Sequence, residues 1–216
     1  MARFSVIGVA LVLFGCASSN PKDRLSDHHY NYRQPGQRYS KVFVDVEDDT
    51  IKIIPTGKNP PVQTKRETNQ FFMRPSFDVD ILVTVFKYRP SSLKFPRQLN
   101  TDFNGNLYFG YRIDRFCVQH KKTPAGTSRQ IKHMALTAGM FGGLGSVAIT
   151  PWTTNYRTTD EYNGFALTRG LVLMFNVNNN TVGLAVGWDY ITDRDKDIWI
   201  YQNKPWYGLT FSINLN

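Results

Sequence analysis

Thr181-Val182-Gly183-Leu184-Ala185-Val186-Gly187-Trp188-Asp189-Tyr190 decides how this chain is read. Val182, Leu184, Val186, Trp188 and Tyr190 occupy one phase, and Thr181, Gly183, Ala185, Gly187 and Asp189 the other. A period of two is the mark of a β-strand with two unlike faces. The same alternation recurs on both sides of it. Tyr207, Leu209, Phe211, Ile213 and Leu215 oppose Gly208, Thr210, Ser212 and Asn214 at the end of the sequence. Phe165, Leu167, Leu171, Leu173 and Phe175 face away from Gly164, Ala166, Thr168 and Gly170, with Arg169 standing out of place in the apolar phase. Further upstream, Met134 to Leu144, Leu107 to Ile113 and Phe77 to Val85 repeat the pattern.

The second face carries the information about fold class. A soluble sheet shows water long charged side chains, whereas here the non-apolar phase is mostly Gly, Ala, Thr, Ser and Asn with a few charges. That composition suits a confined polar lumen with the apolar side chains pointing outward into lipid. Phe86, Tyr88, Trp188, Tyr190, Trp206 and Tyr207 gather toward segment ends, as interface girdles do. The links alternate between short (around Lys121 to Gln130, and Asn178-Asn179-Asn180) and longer (Arg89 to Thr101, Pro151 to Asp160, Thr192 to Pro205). The expectation is an all-β, antiparallel up-and-down transmembrane β-barrel of about eight strands. Only the spans over 76–216 are evident, so two strands must come from elsewhere: from a hairpin at 41–54, from a bend at Gly142-Gly143-Gly145, or from other chains.

Residues 17–75 differ in character. A polar stretch containing His28-His29 reads as a flexible tether. Lys41 to Val46 and Thr50 to Ile54 flank Glu47-Asp48-Asp49 and predict a short β-hairpin. At the start, Arg3, the apolar run Phe4 to Phe14, and Gly15-Cys16 form a secretory signal too short to be a membrane helix. Cys16 after Gly15 resembles the lipobox of bacterial lipoproteins, which implies lipidation at Cys16. Together the two halves resemble small outer-membrane β-barrel proteins carrying a lipoprotein-type signal. The resemblance implies a signal peptide at 1–15, a lipid-anchored periplasmic tether at 16–75 and an outer-membrane barrel at 76–216, with the N-terminus periplasmic.

The composition narrows the remaining possibilities. The 216 residues are 41% hydrophobic, 14% aromatic and 20% charged with 2 Cys, which excludes a disordered chain, a coiled coil and a disulfide-rich module. A net charge of +9 spread through the tether and loops favours outer-membrane lipids, including lipopolysaccharide headgroups, as partners, with an envelope protein as a second candidate. No basic stripe interleaved with aromatics points to nucleic acid. Asp78, Asp80, Arg112, Asp114 and Asp189 share the inward face and are expected to pair as a structural plug. Asp193-Arg194-Asp195-Lys196-Asp197 begins like a calcium loop but lacks its later glycine and glutamate. No cofactor, metal site or catalytic residue is predicted. The functional expectation is a non-enzymatic outer-membrane barrel lipoprotein with a structural or interaction role. A lipocalin-like soluble carrier of an apolar ligand and a lipid-modifying barrel enzyme are the alternatives.

Overall fold

A computed structural model describes residues 24–47, 50–56, 68–91, 95–101, 104–124, 126–177 and 180–214. Its strands are β1 (His28–Arg33), β2 (Ser40–Glu47), β3 (Thr50–Pro55), β4 (Gln70–Arg89), β5 (Gln98–Asn100), β6 (Asn104–Thr123), β7 (Gly126–Ile149), β8 (Tyr162–Val177), β9 (Asn180–Ile191) and β10 (Pro205–Asn214). A 3-10 turn covers Trp152–Thr154. Among the described residues no helix is long and apolar enough to cross a membrane.

All strands belong to one ten-stranded sheet in the order β10-β9-β8-β7-β6-β4-β1-β2-β3, with β5 beside β4 and β10 also paired to β4. The antiparallel register runs from Val83↔Gly105 to Gln70↔Val118 between β4 and β6, and from Asn104↔Gly145 to Thr123↔Gly126 between β6 and β7. One edge of β4 is divided. Its first residues pair with β1 (Arg33↔Phe71), and its later ones with β10 (Tyr207↔Tyr88 to Asn214↔Asp80). The pairing path from β4 through β6, β7, β8 and β9 to β10 therefore returns to β4, and β1-β2-β3 branches off below.

The up-and-down transmembrane barrel of about eight strands is corrected by this arrangement. Six strands lie on the returning path, and the hairpin β2–β3 is not one of them. Instead β1 lies between that hairpin and β4. The described part of the segment before residue 76 is packed against the strands. Tyr30, Tyr32, Val42 and Val44 are buried with Phe72, Phe116 and Val118 in a core of their own. The expected boundary between 75 and 76 falls inside β4.

The interior is layered along the strands. Above the Tyr30–Phe116 cluster comes a layer of charged groups around Asp114. Next is a second apolar cluster of Leu82, Tyr108, Phe141, Val172, Met174, Ala185 and Trp206. A second charged layer around Asp189 follows, and Val147, Ile149, Ala166, Ile191, Trp199 and Tyr201 close the loop end. The order follows from β4 itself, which contributes Phe72, then Asp78 and Asp80, then Leu82, then Lys87 and Arg89.

This interior is packed, although the many inward glycines suggest open space when read along a single strand. The Tyr108 ring lies over the paired Gly110 and Gly139, where a Cβ would come within 1.8 Å of Tyr108 Oη at the first and 2.7 Å of Tyr108 Cε2 at the second. Phe141 lies over Gly170, at 2.5 Å from where a Cβ would be, and Trp206 over Gly187, at 2.3 Å. Small residues at these positions thus make room for large rings.

Candidate functional site

At the loop end, β4 brings two cations inside. Val85 is the extra residue of a bulge opposite Leu209/Thr210, so the inward phase moves from Leu82 and Thr84 to Lys87 and Arg89. Both are 1% exposed. Asp189 of β9 lies between them: Lys87 Nζ donates to Oδ1 and Oδ2 at 3.0 Å each, and Arg89 Nη2 donates to Oδ2 at 2.5 Å. Thr168 Oγ1 and Trp206 Nε1 also donate to Oδ1, at 2.8 and 3.0 Å. Lys87 Nζ donates further to Asn104 Oδ1 at 2.6 Å and sits 4.6 Å from the Trp206 ring centroid. Such a carboxylate is fully engaged as an acceptor, which suits a structural ion-pair layer and leaves no free base.

Arg89 continues toward the loops. Its guanidinium lies 5.3 Å from the Trp199 ring and 4.8 Å from the Tyr201 ring. Burial raises the Tyr201 phenol above its ordinary pKa, while the Arg89 charge acts in the lowering direction. Three connections meet here. Ile200 N donates to Thr153 O at 2.9 Å, Phe95 packs edge-on to Trp152 at 5.3 Å, and β5 pairs with β4 through Arg89↔Gln98. Trp199 and Tyr201 line a cavity of about 330 Å³ with Leu99, Val147, Trp152 and Thr153.

The other charged layer joins three of the expected residues to two that sequence reasoning missed. Arg112 Nε donates to Asp114 Oδ1 at 2.9 Å, and Arg112 Nη1 is 3.8 Å from Asp78 Oδ2. His133 Nε2 is 2.8 Å from Asp114 Oδ1, its ring stacked on Phe116 at 4.6 Å, and Arg74 Nη2 is 3.6 Å from Asp114 Oδ2. Asp80 accepts from Ser212 Oγ at 3.2 Å. Asp189 is held by its own set of partners at the loop end, so the single cluster expected of Asp78, Asp80, Arg112, Asp114 and Asp189 is two. His133 is visible in the sequence as an inward-phase residue. Lys87 and Arg89 are hidden by the bulge, although a Lys-Tyr-Arg triplet after a clean strand is a signal for it.

The acidic run at 193–197 serves its own loop. Tyr162 Oη donates to Asp195 Oδ2 at 2.8 Å, Phe165 N donates to Asp193 Oδ2 at 3.2 Å, and Arg194 pairs with Asp160. No group of three or more His, Cys, Asp or Glu among the described residues could hold a metal ion. Cys16, the expected lipidation site, lies outside the described residues.

No family model matches this chain, and no curated protein or solved structure is similar to it. The resemblance to outer-membrane barrel lipoproteins therefore has no family behind it, and the outer-membrane location drawn from it is corrected with it. The barrel-lipoprotein expectation is corrected by the strand arrangement, in which six strands return to β4 and β1 joins the hairpin to it. The space a lipocalin-like carrier needs for its ligand is filled by Tyr108, Phe141 and Trp206. A lipid-modifying enzyme would need its histidine beside the long loops, whereas His133 is engaged with Asp114 in the layer nearest β1.

The outward face remains. Phe77 of β4 is 71% exposed, Leu107 of β6 59%, Met140 of β7 61%, Leu171 of β8 55%, Leu184 of β9 68% and Phe211 of β10 41%. Phe77 stacks on Phe109 at 5.9 Å on this outer surface. On β6 and β7 the outward positions turn basic past Ile113 and Met134, at Arg115, Lys121 and Lys132.

Proposed function

We propose that the partner of this protein is lipid, met by the outward apolar face. The observation that carries the reading is that every strand on the returning path exposes at least one large apolar side chain. A face exposed on every strand of the returning path is covered more fully by small apolar molecules than by one protein docked on one side. An exposed apolar area of this extent in water is unfavourable by roughly 25 cal/mol per Å². The basic residues that border the face, with the net charge of +9, favour anionic headgroups, lipopolysaccharide included.

Flotation tests this directly. Protein diluted from detergent into vesicles of phosphatidylethanolamine and phosphatidylglycerol is expected to rise with them through a density gradient. The Met140→Lys/Leu184→Lys double variant is expected to remain behind, because both charges would enter the acyl phase. A wild-type chain that stays monomeric and dispersed in detergent-free buffer, below the vesicles, overturns the proposal.

A further inference from the structure

Arg169 of β8 stands exposed in the outward phase, between Leu167 and Leu171 on its own strand. Its register partners are Gly142 on β7 and Trp188 on β9, so none of these four neighbours offers it a negative charge. Among the described residues Arg169 makes no ion pair, side-chain hydrogen bond or ring contact. Open space adjoins it: a Cβ on Gly142 would meet only Thr168 O, at 3.8 Å. Two open cavities share Arg169 and Asn203 as lining residues. One, of about 390 Å³, lies toward the loop end with Leu167 and Tyr190; the other, of about 530 Å³, lies on the far side with Met140, Leu171 and Trp188. Asn203 is held there by its backbone N–H, which donates to Asp189 O at 2.9 Å, and it is itself exposed.

We infer that Arg169 is the seat of one anionic phospholipid, its phosphate taken by Arg169 and Asn203 and an acyl chain laid in the cavity beside Met140, Leu171 and Trp188. The inference rests on the reading that lipid meets the outward face, and it names the lipid required at one point of that face. A guanidinium covered by acyl chains alone is costly, so the molecule above Arg169 has to bring the counter-charge. The planar fork of an arginine matches two phosphate oxygens at once, and a carboxamide such as that of Asn203 supplies a further donor. Trp188 and Tyr190 beside it are rings with an apolar body and a polar tip, which suit the boundary between acyl chains and headgroups.

The full chain in a neutral detergent is titrated with dimyristoyl phosphatidylglycerol and, separately, with dimyristoyl phosphatidylcholine, and the lipids retained per chain are counted by native mass spectrometry. One phosphatidylglycerol is expected to be held about tenfold more tightly than phosphatidylcholine. Arg169→Gln is expected to abolish that preference, and Arg169→Lys, which keeps the charge without the fork, to reduce it. Arg157→Gln removes the same charge from an exposed loop residue and is expected to leave the preference intact. Circular dichroism checks that the variants fold, as substitutions at exposed positions should. If the wild type holds both lipids equally, if Arg169→Gln keeps the preference, or if Arg157→Gln loses it to the same extent, the inference is wrong. A wild-type chain that floats with vesicles yet shows no preference overturns this inference alone; one that fails to float overturns the lipid reading, and the inference with it.

Discussion

Gly187 lies directly against the indole of Trp206: a Cβ at that position would come within 2.3 Å of Cζ2 and 2.7 Å of Cε2. The two residues face each other across the β9–β10 register, Trp206↔Gly187, and the indole Nε1 reaches Asp189 two residues on. One glycine therefore positions both the ring and the charged layer above it.

Gly187→Ala is expected to destabilise the fold by about 1–3 kcal/mol, the usual cost of overpacking a filled interior. Equilibrium urea unfolding measures this. In the Trp206→Leu background the same substitution should cost clearly less, because the atoms it meets are gone. Equal costs in the two backgrounds would show that the ring does not set the requirement for glycine.

Asp189→Asn leaves Lys87 and Arg89 buried without their carboxylate. The expected loss is about 3–5 kcal/mol, as for one partner removed from a buried ion pair. Lys87→Met in the same chain should recover part of it by removing one of the two stranded charges. A midpoint of urea unfolding unchanged from the wild type would contradict the pairing.

Tyr32 provides the pH dependence. Burial, only partly offset by the Gln34 side chain, raises its phenol from 10.0 to about 12. A raised folded-state value means that the neutral form belongs to the native state. Its contribution is complete below pH 10 and is lost as the pH rises through about 12. Tyr32→Phe is expected to be less sensitive to alkali in that window. The check is hydrogen-exchange protection of β1 and β2 at several pH values.

Trp188 and Trp206 report the two faces. Trp188 is half-buried in the outward phase, and Trp206 is fully buried. Single-tryptophan variants in vesicles of bromine-labelled phospholipid are expected to show strong quenching for Trp188 and little for Trp206. Similar quenching of both would place lipid in the interior and contradict the packing of Trp206.

Much of the strand content is legible in the residue pattern. Alternation places Leu184, Leu171, Met140 and Phe77 on one face and Asp78, Asp114 and Asp189 on the other, because successive side chains of a strand must point to opposite sides. Turn-prone residues locate the β2–β3 hairpin and the Asn178 to Asn180 connection. β1 escapes notice because its apolar positions are two tyrosines, Tyr30 and Tyr32, in a stretch otherwise made of histidine, asparagine and arginine.

The linear order of residues therefore sets what is local: the two-residue period, the direction in which each strand's oily side faces relative to its small side, and the positions of the tight turns. Three-dimensional pairing alone settles which strands meet, that β10 returns to β4 while β1 takes the rest of that edge, and that a bulge at Val85 turns Lys87 and Arg89 toward Asp189. It also settles the meaning of the glycines. Whether a small side chain borders open space or an aromatic ring depends on what the neighbouring strands place above it, and Gly110, Gly170 and Gly187 meet Tyr108, Phe141 and Trp206. Pairing and packing join residues far apart in the chain, so a pattern confined to one strand carries no record of them.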